Sequence, residues 1–131
     1  MGEGPHWEEN SNTLRFVDIL KQKVHTVDLS KGPSSHQVLA DLDISIGATA
    51  DIEGNDQRLA FGGKHGYGIL DRKDGSYRYI KRYWEGDEDA QRKEHQMRGN
   101  DGGVDIRGRY WVGTMNDPLV TPFTNVGMKP S

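Results

Sequence analysis

The sequence predicts an all-β protein made of propeller-like blades, and three observations carry that prediction. Short apolar–polar alternations, the period-2 mark of half-buried strands, run almost from end to end. Glycine supplies 17 of 131 residues while only 33% of the chain is hydrophobic, which suits a turn-rich protein better than packed helices. The chain also repeats itself weakly. "PHWEENSNTLRFVDI", "ADIEGNDQRLAFGGK" and "GVDIRGRYWVGTM" each order a short apolar strand, an acidic or Gly/Asn turn and a longer apolar strand. Leu14 and Leu59 lie 45 residues apart, and Leu59 and Tyr110 lie 51 apart. A period of roughly 40–50 residues is that of four-stranded propeller blades. An ordinary antiparallel sandwich is the alternative that the repeat leaves open.

The elements follow in order. "TLRFVDI" (13–19) alternates, with Leu14, Phe16 and Asp18 on one face and Arg15, Val17 and Ile19 on the other. "KVHTVDL" (23–29) does the same, and "LKQ" between them is short enough for a hairpin turn. "SKGPSS" (30–35) is a loop by its Gly, Pro and Ser content, and "HQVLADL" (36–42) is a third strand. "IGATADIEG" (46–54), "RLAFGGK" (58–64), "YGILDRK" (67–73) and "YRYIKRYW" (77–84) are four more, with Asp-Gly at the centre of the turn "KDGS" (73–76). Residues 85–95 are charged with no apolar face, so they form a solvated connection with room for one helical turn. "GGVDI" and "RYWVGTM" follow as strands, and the tail "NDPLVTPFTNVGMKPS", with three prolines, is irregular.

Composition excludes several function classes. At 131 residues the chain is about one domain. A net charge of −3 offers no basic footprint for nucleic acid. Without cysteine there is no disulfide, thiol nucleophile or Cys-zinc site. No apolar run approaches the length of a membrane span and no signal peptide is visible, so a cytoplasmic location is expected, with an upstream leader left open. "GGKHGYG" (62–68) mimics a phosphate-cradling loop but lacks a Lys-Ser/Thr pair, and reads as a Gly-rich hairpin. His6, His25, His36, His65 and His95 are dispersed with no i,i+4 pair, against a histidine zinc site. Asp87, Glu88 and Asp89 lack the alternation of an EF-hand loop and read as solvated. Trp7, Trp84 and Trp111 are expected in the core between blades.

Two segments carry a resemblance. "GEGPHWEENSNTLRFVDI" (2–19) looks like the opening blade of the SMP-30/gluconolactonase/LRE family, and "RGNDGGVDIRGRYWVGTM" (98–115) resembles that family's Arg-x-Asn-Asp-Gly segment and the strand after it. Their order and separation also fit. The resemblance implies a six-bladed propeller with one divalent metal ion in its channel and hydrolysis of sugar lactones or related esters. Residues 1–45 would be blade 1, residues 46–97 blade 2 with its connection, and residues 98–131 the start of blade 3, about two and a half blades in all.

The resemblance also assigns roles. Glu3 matches the family's first metal-binding carboxylate, and a hard cation wants such oxygen ligands. Calcium, zinc, magnesium and manganese all suit. Arg98 and Asn100 match the substrate-contacting pair. Arg offers a fork of donors, and Asn offers a donor and an acceptor. Asp101, Asp117 and His6 are further candidates: Asp101 could brace a turn, Asp117 could replace a family acid that falls near Pro118, and His6 lies three residues from Glu3. Gly99 stands where the family commonly has a bulkier residue, a difference that could widen the channel or alter substrate choice. The family's other two metal ligands, an Asn and an Asp, fall beyond Ser131. No catalytic residue is therefore assigned within the chain, which alone is expected to be inactive.

The partners expected are a small lactone or ester and either the remaining blades or further copies of the chain, with neither nucleic acid nor membrane. Otherwise Phe16, Val17, Tyr110 and Trp111 would face water. A non-catalytic fragment or protein-interaction module is the second reading.

Overall fold

The computed structural model describes residues 2–120. Three antiparallel sheets succeed one another along the chain. The first has four strands in sequence order, β1 (Glu3–Glu8), β2 (Thr13–Asp18), β3 (Lys23–Asp28) and β4 (Gln37–Asp41). The second repeats that order with β5 (Ile46–Ile52), β6 (Asn55–Gly63), β7 (Gly66–Asp71) and β8 (Tyr77–Arg82). A short helix, α1 (Ala90–Gln96), leads to a two-stranded sheet of β9 (Met97–Val104) and β10 (Tyr110–Asn116). None of the described helices is long and apolar enough to cross a membrane. Residues 121–131, most of the expected irregular tail, lie outside the described residues.

Alternation decides the core. Val17 and Ile19 of the β2 stretch, Val24 of β3 and Ala40 of β4 meet Ile46, Leu59, Phe61 and Leu70 of the second sheet. Arg15 shares the face of Val17 and Ile19 and is fully buried with them. The core thus lies between the first two sheets. The first strand of each sheet also meets the next, with β5 packed against both β1 and β9.

The second and third sheets approach through glycine. A Cβ on Gly47 of β5 would stand 2.1 Å from the Asn100 carbonyl oxygen of β9. In the turn after β7, Gly75 takes φ +73°, a left-handed conformation that glycine adopts at no steric cost. Asp71 and Asp74 brace that turn by accepting the Lys73 and Ser76 backbone N–H groups.

Several expectations need correction. The strand read as "GGVDI" begins earlier, at Met97, and ends at Val104, so Arg98, Asn100 and Asp101 are strand residues. Asp105 ends it. Its carboxylate accepts the Arg107 and Arg109 backbone N–H groups, the Arg109 side chain and the Trp111 indole N–H. That last bond is the largest cause that draws the Asp105 pKa down to about 2. Trp111 is consequently on the surface, 60% exposed, and Trp7 is exposed too. Trp84 is half-buried under the Lys93 ammonium, 4.9 Å from its ring centroid. None of the three is core. Val17, expected to face water, is fully buried, because its face of β2 is the one turned to the second sheet. Phe16 points the other way and stacks on His25 at 5.0 Å. The connection before β9 holds two turns of helix rather than one.

Candidate functional site

Glu3 opens β1, and the register between β1 and β2 slips between Glu3 and His6. Gly4 sits in that bulge at φ +52°, with Gly47 of β5 close behind it. A bulge re-aims the side chains around it. As a result Glu3 and His6, though three residues apart, line one cleft of about 660 Å³ with Asp51 of β5 and Asp101 of β9. Glu3 also borders a smaller cavity of about 130 Å³, whose polar lining is completed by Asp18, Arg98 and Asn100.

Arg98 and Asn100 are two apart on β9, so they share a face. The Arg98 guanidinium donates through Nη1 to the Asn100 Oδ1 at 3.1 Å and to the Gly99 carbonyl at 3.0 Å. Arg98 is only 7% exposed, and its Nε has no partner among the described residues. Burial lowers its pKa, while the negative charges of Asp117 and Glu3 oppose that shift. A buried donor left open is costly, and Arg98 borders the small cavity beside Glu3 and Asn100.

The remaining candidates divide. Asp101 is exposed in the larger cleft, and among the described residues its Oδ1 accepts only the N–H of the next residue, Gly102, at 2.8 Å, so it braces no turn there. Asp117 is buried, pairs with Lys64 at 2.6 Å and accepts the Leu119 N–H at 3.0 Å. Pro118, rather than Asp117, reaches the small cavity. Gly99 does not widen a channel: a Cβ there would stand 2.6 Å from both the Gly63 carbonyl oxygen and the Tyr83 hydroxyl. It allows the second and third sheets to close.

A charged network went unnoticed in the sequence. His6 Nε2 donates to Asp51 Oδ2 at 2.8 Å, and Arg15 Nη1 donates to Asp51 Oδ1 at 3.0 Å. Arg15 Nε bonds Thr49 Oγ1 at 2.8 Å, and Arg15 Nη1 also holds Glu8. Arg72, just after β7, grips the same Glu8 from the second sheet, with Nη2 at 3.0 Å from Oε2. Burial pushes the Glu8 and Asp51 carboxyls up. The bonds from Arg72 and Arg15 to Glu8, and from His6 and Arg15 to Asp51, outweigh it and hold both below the carboxylate range. The signal was an arginine on the apolar face of "TLRFVDI" and an aspartate closing the small-residue run "IGATAD".

A divalent ion needs about four to eight ligands. Among the described residues no three His, Asp or Glu side chains converge to hold one. The described residues do not make a metal centre by themselves.

A family model described as "SMP-30/Gluconolactonase/LRE-like region" matches residues 1–127. Regucalcin of Xenopus laevis is 36% identical over 120 residues, covering 91% of this chain and 36% of its own length. Among solved structures, the calcium-binding protein regucalcin of Agrobacterium tumefaciens superposes with a TM-score of 0.73 at 26% identity, over 92% of this chain and 37% of that one. A luciferin-regenerating enzyme superposes with a TM-score of 0.71, also at 26% identity, over 88% and 36%. The chain therefore spans little more than a third of the length of the relatives it matches.

Proposed function

Since the chain belongs to the SMP-30/gluconolactonase/LRE-like family, we propose that it forms one wall of a metal-dependent hydrolase of sugar lactones or related esters. The single observation that carries this reading is the small cavity. Glu3 and the pair Arg98 and Asn100, 95 residues or more apart in sequence, border the same 130 Å³ space. In this reading the sheets are successive propeller blades, divided at residues 1–45, 46–97 and 98–131, with β1, β5 and β9 innermost. Arg98 donates to substrate oxygens, and Asn100, oriented by Arg98, meets a hydroxyl. Glu3 contributes one carboxylate to a site for calcium, zinc, magnesium or manganese, whose further ligands lie outside residues 1–131.

Two predictions test these roles separately in the full-length gene product. Arg98→Ala and Asn100→Ala are each expected to lower lactone turnover by about 10–100-fold, the worth of one charged or bidentate contact at about 1.5–3 kcal/mol. Calorimetric affinity for divalent ions should change far less than turnover, since in this reading neither side chain is a metal ligand. Loss of metal binding in either variant would refute the assignment. Glu3→Gln should do the reverse first, weakening calcium or zinc binding at least about tenfold, because a neutral amide is a poor substitute for an anionic oxygen ligand. Full metal affinity in that variant would remove Glu3 from the metal site.

A further inference from the structure

We infer that His6 is the proton-exchanging residue of the larger cleft, oriented by a buried Arg15–Asp51 relay; this rests on the hydrolase reading above. The relay runs from the interior to the cleft. Arg15 is fully buried and anchored to Thr49 and Glu8. It holds one Asp51 oxygen at 3.0 Å, and the other Asp51 oxygen accepts the His6 Nε2 proton at 2.8 Å. The proton is thereby kept on Nε2, and Nδ1, with no partner among the described residues, is the basic nitrogen. A carboxylate on one ring nitrogen sets the tautomer and stabilises the imidazolium formed when the other is protonated. His6 and Asp51 both line the 660 Å³ cleft, and Glu3 belongs to that cleft and to the cavity of Arg98 and Asn100.

The charged groups facing His6 come from four elements. Glu3 and Glu8 share its strand, Arg15 is its register partner on β2, Asp51 is on β5 and Asp101 is on β9. On its other side a second cleft is bordered by Glu9, Asp56, Arg58 and Arg72.

The step balances. Nδ1 takes a proton from water as the water oxygen bonds the lactone carbonyl carbon, and the carbonyl electron pair moves onto its oxygen. When that pair returns, the ring C–O bond breaks. The imidazolium gives its proton to the departing ring oxygen, and the product is the open hydroxy acid. No redox partner is required.

His6→Gln and Asp51→Asn in the full-length gene product decide between this role and a purely structural bond from β1 to β5. Glutamine can still donate to Asp51, so the tie is kept while proton exchange is removed. General acid–base catalysis contributes about 10²–10⁴-fold. His6→Gln is therefore expected to lower turnover of a six-membered sugar lactone by about 100-fold or more. It should also abolish the acid limb of the kcat/KM profile and leave the melting temperature unchanged. Asp51→Asn should lose the Nε2–H tautomer preference in imidazole nitrogen spectra. Arg98→Ala is the control. If it is impaired while His6→Gln keeps its rate and acid limb, this inference falls and the lactonase reading stands. A wild-type protein that does not hydrolyse lactones overturns both.

Discussion

Arg15→Met is expected to destabilise the fold by about 3 kcal/mol, the lower end of what breaking a buried ion pair costs. The guanidinium is fully enclosed and bonds Glu8, Asp51 and Thr49 at once, so one substitution unpairs groups on β1 and β5 together. Two features temper the loss. Glu8 keeps Arg72 and Asp51 keeps His6, and the Asp51 side chain is half in solvent, where its share is screened. Urea denaturation measures the difference. A loss below about 1 kcal/mol would mean that the network is not what joins the two sheets.

The same network predicts an acid sensitivity, and its sign follows from linkage. Glu8 and Asp51 have folded-state pKa values below their ordinary 4.5 and 3.8. Their contribution is fully present above those ordinary values, and it is lost as pH falls through the lowered ones. Stability should therefore drop more steeply below about pH 4.5 in the wild type than in Arg15→Met, which has already lost part of what holds both groups down.

Gly47→Ala should cost about 3 kcal/mol, near the upper end of overpacking penalties. The added methyl would meet backbone, not a side chain able to turn away. The Asn100 carbonyl oxygen would be 2.1 Å away, its carbon 2.7 Å and the Gly99 carbonyl oxygen 2.9 Å. The strain can be relieved only by separating β5 from β9, which moves Asn100 and the adjacent Arg98. The variant should thus melt earlier and, in the full-length gene product, also lose turnover. A stable, fully active Gly47→Ala protein would show that this close approach does not hold the site.

By itself the sequence determined the period-2 strands, their hairpin connections and the pairing of opposite faces, since alternation and turn chemistry are local properties. Arg15, Val17 and Ile19 are legible as one face of a strand from their spacing alone. So is the Gly-rich hairpin: β6 ends at Gly63 and β7 starts at Gly66. The motifs around Glu3 and Arg98 were legible too, as short patterns of fixed order. Only the tertiary structure decided which face of β2 is inside, because that depends on where the second sheet packs. It alone turned Arg15 from an anomaly on an apolar face into the partner of Glu8 and Asp51, residues 7 and 36 positions away. It removed Trp7 and Trp111 from the core, gave Asp117 to Lys64, and made Gly99 a point of closure. Each of these turns on distances between segments remote in sequence, and side-chain period carries no information about those.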